Sequence, residues 1–275
     1  MSRMMLQAAV TMQQLQHKLD IVGHNIANSQ TTGYKARQAD FQSLLFQQIN
    51  NLTDPRNGEG RLTPDGIRVG SGAKLGAINQ RFTAGAMIDT ERALDVALLN
   101  DYYFFQVEVT DGETTETRLT RDGSFYLSPI NDTELLLTDA DGHPVIGANG
   151  RITIPKSADH IQINPNGQVV VKEGQLTNVI GTLNIVEAIR PRVLEAVGQN
   201  FFRLPDVAAL GYNADDIIIN RTGEQNVLRS GALEQSNVDI AEEMTDMLLA
   251  QRSYQFNARS ITMGDQMLGL INQLR

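Results

Sequence analysis

The feature that most constrains this chain is a pair of narrow apolar stripes, one near each end, both stepping alternately by three and four residues. Near the N-terminus the stripe runs through Met5, Ala8, Met12, Leu15, Leu19, Val22 and Ile26. That spacing lines one side of an α-helix with a heptad seam, narrower than the face of a helix that lies on a sheet. Asn28, Ser29, Thr31, Thr32 and Gly33 follow, residues that end helices and form turns. Near the C-terminus Met244, Met247, Gln251, Tyr254, Ala258 and Ile261 repeat the steps, and Leu268 and Ile271 extend them past Asp265. This helix is expected to start at Ser236 or Asn237, with Glu242 and Glu243 in its early turns, where the helix dipole favours acids. Gly264 and Gly269 inside it each cost about 1 kcal/mol relative to Ala, so its last turns fray unless covered. The two seams can pair with each other as an intramolecular stalk, or with copies from neighbouring subunits. Spacing alone leaves both open.

Between the helices the texture changes. Turn dipeptides recur at Asp65-Gly66, Asp111-Gly112, Asp122-Gly123, Asp141-Gly142, Asn149-Gly150 and Asn166-Gly167. Short β-prone runs lie among them: Phe104 to Thr110, Leu135 to Thr138, Ile152 to Ile154, Val169 to Val171 and Val179 to Val186. Hairpin turns among short strands predict an antiparallel β domain, and the lack of βαβ alternation argues against a doubly wound sheet. The fold class expected is therefore α+β: long N- and C-terminal helices with a central antiparallel β-rich domain. The divisions expected are an N-terminal helix over residues 1–30, an extended arm over 31–76, a β-rich domain over 77–232 and a C-terminal helix over 233–275. Within the arm, Gln47 to Gly76 is rich in Asn, Gly, Pro and Asp and reads as a loop.

Composition narrows the function classes. A formal charge of −9 without basic clusters argues against nucleic acid or an anionic membrane as partner. No run approaches the length of a membrane span, and Met1 to Val10 lacks the apolar core of a cleaved secretory signal. The absence of cysteine excludes disulfides, thiolate metal sites and Cys nucleophiles. At 5% aromatics and no Trp, the core is expected to be mainly aliphatic. No catalytic constellation and no cofactor motif emerges. Val69 to Gly76 lacks the Gly-Lys-Ser/Thr of a phosphate loop. Asp139-Ala140-Asp141-Gly142 begins like a calcium loop, but its Gly comes too early and the closing Glu is missing, so it reads as a hairpin turn. His17, His24, His143 and His160 show no established ligand spacing; His17 and His24 read as helix-surface or interface residues, with a metal pair as the lesser reading. Glu242 and Glu243, adjacent on a helix, point different ways and read as solvated charges.

Three patches carry a family resemblance. Leu19 to Asn28 followed by Thr31-Thr32-Gly33-Tyr34-Lys35 resembles the N-terminal signature of flagellar rod and hook proteins. Leu233-Glu234-Gln235-Ser236-Asn237-Val238-Asp239, continuing into Gln251-Arg252-Ser253-Tyr254 and Asp265-Gln266-Met267, is similar to their C-terminal signature. Leu94 to Ala97, Phe104 to Val107 and Thr120 to Phe125 resemble their central β region, although Asn100-Asp101-Tyr102-Tyr103 replaces the family's Gly-x-Gly. Length, the C-terminal run and an insert-like Gln47 to Gly66 stretch look most like the distal rod type, with a hook or hook-basal-body accessory protein, or a β-rich cell-surface binding module, as the alternatives.

The resemblance implies a structural polymer subunit, not an enzyme. Its implied partners are copies of itself, other rod and hook subunits and the flagellar type III export apparatus, in the extracytoplasmic basal body. It implies long N- and C-terminal helices pairing as a coiled coil that lines an inner tube under an outer β layer. The residues expected to carry polymerisation are the seam set Met5, Met12, Leu15, Leu19, Val22, Ile26, Met244, Met247, Gln251, Tyr254, Ile261 and Leu268. To these the resemblance adds the motif residues Asn25, Asn28, Gly33, Tyr34, Ser236, Asn237, Asp265 and Met267. Asn25 and Asn28 read equally well as cap residues, since Asn offers a donor and an acceptor at a helix end.

Overall fold

The computed structural model describes residues 2–43, 47–49, 67–69, 73–112, 114–198, 200–206, 211 and 213–274. The chain is α+β, with a helix at each end and an antiparallel β-rich middle. It divides into two compact units, one of residues 1–26, 37–79 and 240–275, the other of residues 27–36 and 80–239.

The first unit holds the two long helices, α1 (Ser2–Ala27) and α2 (Ile240–Gln273). α2 begins three residues after Asn237, the expected cap, because the Asn237 side chain is engaged elsewhere. Neither helix is long and apolar enough to cross a membrane. The stretch read as an arm contains strands. Arg37–Ser43 pairs with Ala73–Gln80, and Gln47–Ile49 pairs antiparallel with Ile67–Val69. Alternation within Ala73–Gln80 and β-branched Ile67 and Val69 outweigh the loop-like composition around them. Residues 50–66, which include Asp65-Gly66 and most of the insert-like stretch, lie outside the described residues.

The second unit is built on a six-stranded antiparallel sheet. Its order is Glu195–Val197, Phe201–Arg203, Thr114–Thr120, Tyr103–Asp111, Ile185–Ala188 and Ile218–Asn220. Successive strand residues point to opposite faces, so the adjacent Phe104 and Phe105 enter separate cores. Phe105, Val107 and Val109 join a large, mostly aliphatic core with Leu137, Ile154, Val169 and Leu183. Phe104 joins a smaller core with Phe82, Leu119, Val186 and Phe202. This smaller core departs from the aliphatic expectation: Phe104 meets Phe82 and Phe202 at centroid distances of 6.0 and 5.4 Å, both edge to face. Few aromatics suffice when they cluster, because such pairs add about 0.5–1.5 kcal/mol beyond their burial.

Two three-stranded antiparallel sheets complete the large core, one of Thr153–Pro155, Glu134–Thr138 and Tyr126–Pro129, the other of His160–Ile163, Gln168–Glu173 and Leu176–Thr182. Asp111-Gly112, Asn149-Gly150 and Asn166-Gly167 sit between paired strands, each with its glycine at positive φ. Asp122-Gly123 does not close a hairpin. The strand before it pairs with Tyr103–Asp111, and the strand after it pairs with Glu134–Thr138. The run from Val179 to Val186, read as one strand, is split between two sheets at Leu183 and Asn184.

Candidate assembly site

The residues singled out by seam and motif fall into two groups, one in each unit. In the first unit, α1 presents Ala8 and Val22 buried, with Met5, Met12, Leu15, Leu19 and Ile26 half-buried. On α2, Met247, Tyr254, Ile261 and Leu268 are half-buried, and so is Met267. Met244 and Gln251 of the expected seam are exposed, as is Asp265. The inward positions between the shared ones are instead Glu243, Ala250, Asn257 and Gly264, one residue earlier in each turn. Ala250 and Gly264 are buried outright. A Cβ placed on Gly264 would lie 3.0 Å from the Met5 side chain, so the missing side chain lets α1 come close.

Polar pairs join the same two helices. Lys18 Nζ reaches Asp246 at 2.8 Å, and Asn25 Nδ2 donates to Glu243 Oε1 at 2.7 Å. With Met5 beside Gly264, these contacts ascend α1 while descending α2, so the helices run antiparallel. Burial, joined by the charges of Asp246 and Glu242, pushes the Glu243 carboxyl above its ordinary value, while the Asn25 amide opposes the rise. Glu243 is thus a half-buried partner of Asn25, unlike the solvated charge expected for it. Asn25, 1% exposed, also clamps the backbone beyond the helix: its Oδ1 accepts from Arg37 N at 2.9 Å and its Nδ2 donates to Arg37 O at 2.8 Å. His17 is exposed, and His24 is held below its ordinary value by burial and by Arg37.

The second group lies wholly in the β-rich unit, where the segment after α1 meets the segment before α2. Gly33 has φ +68°, and a Cβ there would sit 2.7 Å from the Arg121 backbone, so both conformation and space require glycine. Its N–H donates to Glu234 O at 2.9 Å. Tyr34 is buried beside it. Asn237 Oδ1 accepts from Ala36 N at 2.8 Å, and its Nδ2 donates to Arg81 O and Thr83 O at 2.6 and 2.9 Å. Ser236 Oγ accepts from Val238 N, and buried Asn28 accepts from the Thr31 hydroxyl.

At the centre sits a buried charge cluster that seam and motif reading did not assemble. Glu234 Oε2 receives Arg121 Nε and Nη2 at 2.9 and 2.7 Å. Its Oε1 receives Lys35 Nζ at 2.7 Å and Gly85 N at 2.9 Å. Arg121 Nη1 donates to the carbonyls of Asn100, Asp101 and Tyr103. The Asn100-Asp101-Tyr102-Tyr103 segment thus wraps carbonyls around a guanidinium. Lys35 Nζ also donates to Thr83 O at 2.8 Å. All three side chains are at most 1% exposed. Burial resists ionisation of Glu234, but Arg121 and Lys35 more than offset it and hold the carboxyl below its ordinary value. Burial and the neighbouring Arg121 charge depress Lys35 to about 8, since one carboxylate faces two cations. The available signal was that each resembling patch contributes one member of the cluster: Lys35, Arg121 and Glu234.

Comparison with known proteins follows the same three patches. Residues 5–35 match the family described as flagella basal body rod protein. Residues 100–171 match the flagellar hook protein FlgE/F/G D1 domain, and residues 229–274 match the flagellar basal body rod FlgEFG protein C-terminal family. Among similar proteins, the flagellar hook-basal body complex protein FlhP of Bacillus subtilis is 39% identical over 284 residues, covering 100% of both chains. The flagellar basal-body rod protein FlgG of Borreliella burgdorferi is 34% identical, covering 100% of this chain and 99% of its own. The FlgG protein of Caulobacter vibrioides is 34% identical, covering 98% and 97%.

Proposed function

The chain belongs to the flagellar basal-body rod and hook protein family, and we propose that it serves as a structural subunit of the distal rod, polymerising through its terminal helices. In this reading the helices form a coiled coil whose outer face docks on neighbouring copies. Heterologous contacts of this kind, which do not close into a ring, generate a helical tube that passes torque to the hook and filament. Export through the flagellar type III apparatus and a place in the basal body belong to the same reading, as does a non-enzymatic role.

The observation that carries it is a second apolar stripe on α2. Leu249, Phe256, Met263 and Leu270 recur every seven residues and are 53, 65, 60 and 60% exposed. They lie two residues on from Met247, Tyr254, Ile261 and Leu268, about 200° around the helix and away from α1. Burying one such side chain stabilises by roughly 1.5–3 kcal/mol, so four in register are a strong drive to associate. The unequal lengths of the helices support the same use. With Met5 against Gly264, the turns from about Met267 onward run past the start of α1. Leu270, Ile271 and Leu274 are exposed there.

Sedimentation of purified full-length protein tests this. The wild type should form large species with rising concentration. Phe256→Asp with Met263→Asp should remain monomeric, keep the denaturation midpoint of the β-rich unit and fail to restore swimming to a strain lacking the gene. Equal assembly by the double variant would remove the outward stripe as the docking face.

A further inference from the structure

The hairpin turn from Asp139 to His143 places a carboxylate, a second carboxylate and an imidazole at alternate positions. Asp139 N donates to His143 O at 2.9 Å, and Val145 N to Leu137 O at 2.9 Å, so paired strands close the turn on both sides. Asp139 is 5% exposed. Its Oδ1 is occupied by the backbone N–H groups of Asp141 and His143 at 3.0 and 2.8 Å. Its Oδ2 faces His143 Nδ1 at 3.0 Å. The imidazole is steadied on its other side by the Phe201 ring, edge to face at 5.4 Å. One donor atom from each of Asp139, Asp141 and His143 lies within 4.8 Å of the others.

We propose that Asp139, Asp141 and His143 bind a divalent transition-metal ion of zinc type. The 3.0 Å between Nδ1 and Oδ2 suits a hydrogen bond, and it equally suits two neighbouring ligands of one ion held at about 2.1 Å from each. Binding replaces the Nδ1 proton, which passes to solvent, by the metal. The Asp139 Oδ1 bonds then orient the ligating carboxylate from behind, as outer partners do in metal sites. One imidazole and two carboxylates, in a chain without thiols, suit zinc better than calcium or magnesium, which prefer all-oxygen sets.

The two carboxylate residues also face an open volume. Asp139 and Asp141, though not His143, line a cavity of about 390 Å³ together with Arg118, Asp122 and Asn200. Asn200 Nδ2 is held by Thr32 O at 2.9 Å, but its buried Oδ1 has no hydrogen-bond partner among the described residues. A water in that cavity, including one carried on a bound cation, would satisfy this amide oxygen. Sequence spacing missed the set because the turn resembles an incomplete calcium loop, and the histidine that completes it follows the glycine.

Titration of ZnCl2 into chelator-treated full-length protein, followed by calorimetry, decides the matter. One equivalent should bind, and Asp141→Asn and His143→Gln should each weaken binding about tenfold or more. The metal should also raise the melting temperature of the wild type and not of the variants. Asp141→Asn leaves the turn intact, because Asp141 supplies only its backbone N–H to it. That variant alone decides if His143→Gln does not fold. No heat above a chelator blank, or wild-type affinity in Asp141→Asn, overturns the proposal.

Discussion

The two units solve the problem of burying their side chains in opposite ways. The β-rich unit closes on itself: Phe104, Phe105, Phe125, Leu137, Ile163 and Ile185 are wholly buried, and the buried charges of Lys35, Arg121 and Glu234 satisfy one another. The helical unit leaves much of its apolar surface outside. α2 buries only Ala250 and Gly264 completely, while Leu248, Leu249, Phe256, Met263 and Leu270 remain more than half exposed. The lesson is a division of labour. One unit buries its own side chains, and the other exposes apolar surface that, in the function proposed above, a neighbouring copy covers.

The largest expected way to break this contrast is Glu234→Ala. It strands Lys35 and Arg121 as buried cations without a counter-charge and should cost the β-rich unit about 3–5 kcal/mol by chemical denaturation. An unchanged midpoint would mean the cluster contributes nothing to closure.

Ala250→Glu should cost the helical unit about 1–3 kcal/mol, since it forces bulk and charge into a position 3% exposed; helix melting followed by circular dichroism measures it. Gln251→Glu, one residue on, should stay within about 0.5 kcal/mol. Equal losses from the two would show that the α2 register is other than the one described.

A pH series sharpens the comparison further. Lys35 is held at about 8 in the folded state, below its ordinary value near 10.5. Between these values the unfolded chain keeps a proton that the folded one has released, so this group makes stability rise with pH, by on the order of 1–3 kcal/mol. The neutral form leaves an Arg121–Glu234 pair with no excess charge. The rise is the difference between wild type and Lys35→Met across that window, and parallel curves would show that Lys35 titrates normally. The helical unit, which lacks a comparable buried lysine among its described residues, should not share the effect.

Much of the architecture was legible because it is local. α1 ends at Ala27, just where Asn28, Ser29 and the following turn residues begin. The Asn149-Gly150 and Asn166-Gly167 turns follow from the positive φ that glycine permits. Other features were misread because a local signal competed with a distant one. Asn237 looks like a helix cap, yet Ala36, Arg81 and Thr83 claim its side chain. Asp122-Gly123 looks like a hairpin turn, yet its flanking strands pair with different partners. Gln47–Ile49 and Ile67–Val69 looked like loop because the residues between them are polar and turn-rich.

The heptad period of both terminal stripes belongs to the sequence alone, because side-chain direction along a helix follows from its geometry and needs no partner. Which flank of the α2 stripe turns inward was decided only in three dimensions. Met247, Tyr254, Ile261 and Leu268 serve either register, and hydrophobicity favours Met244 over Glu243 as their companion. The structure takes Glu243, Ala250 and Gly264, because small residues admit a close helix and the Asn25 amide meets the carboxylate. The same holds for Lys35, Arg121 and Glu234. Each is an ordinary charge in sequence, and only the meeting of three distant segments makes them a buried cluster, since a charge is stable in the interior only beside its partner.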